Sequence, residues 1–127
     1  MTKHKRKKFT MSKFKSFGYN PSESDVKTML ATLFVMEEAL PDLELEETNP
    51  LFKQECLKYG KSAEKSLTNL EEKISFNELQ AIYNSLVIAD MINRKEITVD
   101  AQLTQFCLDN IFGINKLLPV FENFFDI

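Results

Sequence analysis

Four apolar stripes, each stepping by three or four residues, constrain this chain more than any other feature. Val26, Met29, Leu30, Leu33, Phe34 and Leu40 form the first, and Phe52, Cys56, Tyr59, Ala63, Leu67, Leu70 and Ile74 the second. Leu79, Ile82, Tyr83, Leu86, Val87 and Met91 form the third. The fourth runs through Val99, Leu103, Phe106, Cys107, Ile111, Ile114, Leu117, Leu118, Phe121, Phe124 and Phe125. A stripe that returns to one face every 3.6 residues fits a helix, whereas a strand alternates every two. No alternation long enough to build a sheet competes with it. The expected fold is therefore all-α: a single-domain bundle or orthogonal array of four to five helices over residues 20–127, behind a basic arm at residues 1–19.

Local signals set the expected boundaries. Asn20–Pro21 reads as a helix opening, since Asn can accept a hydrogen bond from an orphan N–H and Pro has no N–H to lose at the first helical position. Pro41 stops the run, giving a first helix over Pro21–Leu40. Asn49–Pro50 repeats the opening, and the second stripe predicts a helix of about 22 residues. Gly60 interrupts it, so either two helices approach closely there or the helix breaks. Ser75 and Glu78 form a capping box, the most specific local signal, and predict a third helix over Phe76–Asn93. Thr98 with Asp100 opens the last segment. Gly113 and Pro119 predict that it is split by a kink into Val99–Phe112 and Lys116–Phe125.

Charge is distributed unevenly. The chain holds 16 Lys and Arg against 19 Asp and Glu, a net of -3. Lys3, Lys5, Arg6, Lys7, Lys8, Lys13 and Lys15 all precede residue 20, where there is no acid. The remainder is left with nine bases against nineteen acids, so an arm of +7 is joined to a body of -10. Such an arm seeks something anionic: nucleic acid, a membrane surface, or an acidic face of protein. Phe9, Phe14, Phe17 and Tyr19 are interleaved with its bases and could stack on nucleobases. Six acids crowd eleven residues of the first connector and its approach, Glu37, Glu38, Asp42, Glu44, Glu46 and Glu47. They read as a solvated loop, or as a negative patch that captures a basic partner or the chain's own arm.

Chemistry is scarce. The sole histidine is His4, in the arm, which leaves the body without imidazole for a nucleophile pair, a zinc site or a di-iron bundle. Cys56 and Cys107 each fall within an apolar stripe and read as small core side chains. Gly60, Lys61 and Ser62 imitate the end of a phosphate loop, but Glu55 stands where that pattern needs glycine. Adjacent carboxylates, Glu37 with Glu38 and Glu71 with Glu72, diverge by ~100° on a helix and cannot face one substrate. No catalytic residue, metal or cofactor is expected. The helix pair around Arg94–Val99 imitates a helix-turn-helix, yet residues 100–112 carry no Lys or Arg to meet phosphate.

These readings point to a non-enzymatic helical protein acting through protein–protein contacts, such as an adaptor, inhibitor or immunity-type protein encoded by a phage or mobile element. The residues expected to meet the partner are Lys5, Arg6, Lys7, Lys8, Lys13 and Lys15 in the arm, the six acids, and Phe121, Phe124 and Phe125 in the C-terminal stripe. The alternative is a nucleic-acid-associated accessory or virion component that uses the arm. Neither a leader peptide nor an apolar run of ~18 residues is expected, and the cysteine usage suits a reducing cytoplasm. The second stripe is narrow enough to pair between chains, which leaves the oligomeric state open.

Overall fold

A computed structural model describes Tyr19 and residues 21–43, 50–69 and 74–126. The described chain forms α1 (Glu23–Ala39) running into a 3-10 turn (Leu40–Asp42), α2 (Pro50–Thr68), α3 (Phe76–Asn93), α4 (Ala101–Asp109) and α5 (Ile111–Phe125). It contains no strand among the described residues, so the architecture is all-α. None of the described helices is long and apolar enough to cross a membrane.

The third helix has the bounds its sequence predicts. Ser75 Oγ accepts the Glu78 N–H at 3.0 Å, and Glu78 Oε1 accepts the Ser75 N–H at 2.7 Å. α1 starts later than predicted. Ser22 caps it, taking the Asp25 N–H at 3.1 Å while Asp25 Oδ2 takes the Ser22 N–H at 2.9 Å. Two orphan donors are satisfied reciprocally by this second capping box, where an Asn20 cap would satisfy one. Asn20 itself lies outside the described residues. α2 begins at Pro50 as expected but ends at Thr68, so Leu70 falls outside the described residues and Ile74 lies just before the α3 cap.

Gly60 does not break α2. A Cβ there would stand 2.8 Å from Met36 Cε, so α2 and α1 meet closely at this point. The division of the last segment differs from expectation as well. It falls at Asn110, and Gly113 lies inside α5, where a Cβ would sit 2.2 Å from Thr28 Oγ1. That glycine permits a close crossing with α1 instead of a kink. Pro119 also stays within α5. It and Asn115, whose carbonyl loses its i+4 donor, are both exposed, so water can satisfy the freed oxygen.

Named contacts fix the helix directions. Lys53 Nζ at the start of α2 donates to the Leu43 carbonyl just past α1, and Gly60 faces Met36, so α1 and α2 run antiparallel. Asn84 meets Cys56, while Ser62 and Ser66 meet Glu78, so α2 and α3 are antiparallel too. α5 returns along α1, with Gly113 near Thr28 and Lys116 near Asp25. α3 packs against every other helix and supplies Leu79, Ile82, Leu86, Ile88, Ala89 and Ile92 to the core. Phe121, Ile114 and Leu117 of α5 close it from the other side.

Among the described residues five polar side chains are buried, Asp25, Thr28, Thr32, Glu78 and Ser85, and each is hydrogen-bonded, Thr28 to the Ser24 carbonyl. Asn93 Oδ1, by contrast, is a buried oxygen without a hydrogen-bond partner. Thr32 and Ser85 hydroxyls lie 2.8 Å apart across the α1–α3 seam. Glu78 takes hydrogen bonds from Ser62, Ser66 and the Ser75 N–H, clamping α2 to the start of α3. Asp25 takes them from the Ser22 N–H, the Tyr19 hydroxyl at 2.7 Å and Lys116 Nζ at 3.1 Å. This is how a buried carboxylate is tolerated.

Candidate functional site

The helix directions separate the residues that the sequence nominates for partner contact. Glu37, Glu38 and Asp42 stand where α1 ends and α2 begins, with Glu38 and Asp42 exposed and Glu37 half-buried. Glu44, Glu46 and Glu47 lie outside the described residues, as do Lys5, Arg6, Lys7, Lys8, Lys13 and Lys15. Phe124 and Phe125 lie at the other end of the bundle, beside the start of α3. Their rings join Phe76 and Tyr83 in a cluster with centroid separations of 4.9 to 6.4 Å. The described acidic candidates and the Phe124–Phe125 pair therefore lie on two separate surfaces.

Phe121 requires correction. It has no exposed surface and is the largest of the fully buried side chains, so it belongs to the core and cannot meet a partner in this fold. Helical spacing places it one turn before Phe124 and Phe125 on the same stripe. The stripe slopes outward past it: Phe124 and Phe125 are half-buried, and Phe76 beside them is 58% exposed.

Between the two ends runs a groove that sequence reasoning missed. It is an open cleft of about 260 Å³. α2 contributes Leu51, Phe52, Glu55, Cys56 and Tyr59 to its lining, and α3 contributes Asn77, Gln80, Ala81 and Asn84. Cys56 and Ala81 are its buried floor, while Leu51 at 59% and Phe52 at 41% stand exposed on its α2 side. Phe52 thus departs from the core role that its stripe suggests. The available signal was the adjacent pair Leu51–Phe52 in the first turn of α2, because two neighbouring residues on a helix cannot both face one core. Phe112, off the fourth stripe and 88% exposed, is another large ring left in water.

The shifted ionisable groups hold the fold. Burial raises the Glu78 and Asp25 carboxyl pKa values, but hydrogen bonds outweigh it and leave both below the usual range. Burial pushes the Cys56 thiol up, against a hydrogen bond from Asn84, and pushes Cys107 up to about 11. Both thiols are free and buried. Among the described residues no three His, Cys, Asp or Glu side chains gather as a metal site. No protein-family model, curated protein or solved structure matches the chain.

Proposed function

We propose that this protein works without catalysis, through protein–protein contact, as a small helical adaptor, inhibitor or immunity-type protein of the kind that mobile elements encode. The observation that carries this reading is the α2–α3 groove, an open cleft with Leu51 and Phe52 exposed beside it. Apolar side chains gathered at a concave surface lose water-exposed area when a partner covers them. The acidic end at Glu37, Glu38 and Asp42 supplies charge for orienting such a partner. A cytoplasmic setting is part of the proposal, supported by the two free thiols.

The test is affinity capture of the full chain in its native host at low and high salt. A stoichiometric protein partner that survives high salt and is lost with the double variant Leu51→Ala, Phe52→Ala supports the reading. Retention on DNA or RNA that falls steeply with salt, and vanishes when Lys5, Arg6, Lys7 and Lys8 are changed to Gln, favours instead a nucleic-acid accessory or virion role.

A further inference from the structure

We propose that the α2–α3 groove receives a cationic segment of the partner that also carries an aromatic or large aliphatic side chain. This rests on the protein-contact reading and names the chemistry of its ligand. The volume of about 260 Å³ lies below the ~300–1,000 Å³ of ordinary small-molecule sites, and the cleft opens to solvent. It suits side chains projecting from a peptide better than an enclosed metabolite.

The lining specifies the rest. Glu55 is its only charged residue, and no Lys or Arg lines it. The nearest cations in sequence, Lys53 and Lys58, lie outside the lining: Lys53 Nζ donates to the Leu43 carbonyl, and Lys58 Nζ stands 5.3 Å from the Tyr59 ring centroid. The -10 body draws basic segments from a distance, and Glu55 gives them a point of attachment within the cleft. Phe52 and Tyr59 present ring surface for an apolar or aromatic side chain. Asn77, Gln80 and Asn84 follow one another along one strip of α3 and offer amide donors and acceptors to an extended backbone. An acidic peptide or a phosphate backbone would meet Glu55 with like charge.

A dye-labelled peptide of sequence KFKKFKKFK, titrated into the full chain at physiological salt and followed by anisotropy, tests this. It should bind, and EFEEFEEFE should not. Glu55→Lys and Phe52→Ala should each weaken binding by about tenfold or more. Glu96→Lys, which changes net charge equally but does not line the groove, should change it by less than about threefold. Circular dichroism establishes that each variant is folded. Equal losses from Glu55→Lys and Glu96→Lys would show only diffuse attraction to an acidic protein and overturn the proposal. So would a dimer in sedimentation that Phe52→Ala dissolves, which assigns the groove to a second copy. A gain of about tenfold in peptide affinity when the seven arm bases become Gln would assign it to the chain's own arm. If the peptide fails while a captured host protein survives both groove variants, only the groove assignment falls; if no protein is captured at all, the wider reading falls with it.

Discussion

At Gly113 the added Cβ would lie 2.2 Å from Thr28 Oγ1 and 2.9 Å from Thr28 Cγ2, a branched side chain with little freedom to withdraw. Gly113→Ala should therefore cost about 1–3 kcal/mol in urea denaturation, and adding Thr28→Ala should return part of it. Gly60→Ala meets only the tip of Met36, a flexible side chain, while helix propensity favours Ala by ~1 kcal/mol. It should be neutral within about 1 kcal/mol. Sequence presents these two glycines as equivalent interruptions, because the contact that distinguishes them lies in a distant part of the chain. The cysteines were legible from their place on the stripes. With Cys107 pushed up to about 11 and both thiols buried, native protein at mildly alkaline pH should react with a disulfide reagent only at the rate of unfolding, and at once in urea.

Helix boundaries were legible where the signal is local and reciprocal. The Ser75–Glu78 box, read from four consecutive residues, fixes the start of α3; at α1 the Asn20–Pro21 pair and the Ser22–Asp25 box lie side by side, and the box sets the start. Each serine replaced by Ala should cost about 1 kcal/mol in thermal or urea unfolding. Glu78 does more than cap, because Ser62 and Ser66 of α2 also donate to it. That clamp was hidden from sequence, since it needs α2 and α3 to lie antiparallel. Its acid behaviour follows from the sign of the shift. The folded pKa of Glu78 is below the unfolded value of ~4.3, so its stabilisation is present above that pH and is lost as pH falls through the folded value. Glu78→Gln should be less stable than the parent at pH 7, and the gap should narrow below about pH 4. A gap that stays constant across urea titrations at the two pH values would contradict this role.

α3, like α1, packs against every other helix, so damage to it should be felt by the entire bundle. Leu86→Ala, at a fully buried position, should cost about 2–5 kcal/mol, with far- and near-ultraviolet signals still melting together. The all-α class was legible because four stripes and their stops repeat one period. The contact surfaces were only half legible: periodicity identifies a face but not what covers it, so Phe121 and Phe125 look alike in sequence while one is sealed and the other half-open. The α2–α3 groove needs the pairing of helices to exist at all. Tyr19 carries one more consequence. Its hydroxyl holds Asp25, which also binds the Ser22 N–H and Lys116 of α5. Through Asp25, the residue ahead of α1 is thus tied to α5 as well as to the first turn of α1, so fraying of that turn must also break contacts to the C-terminal helix.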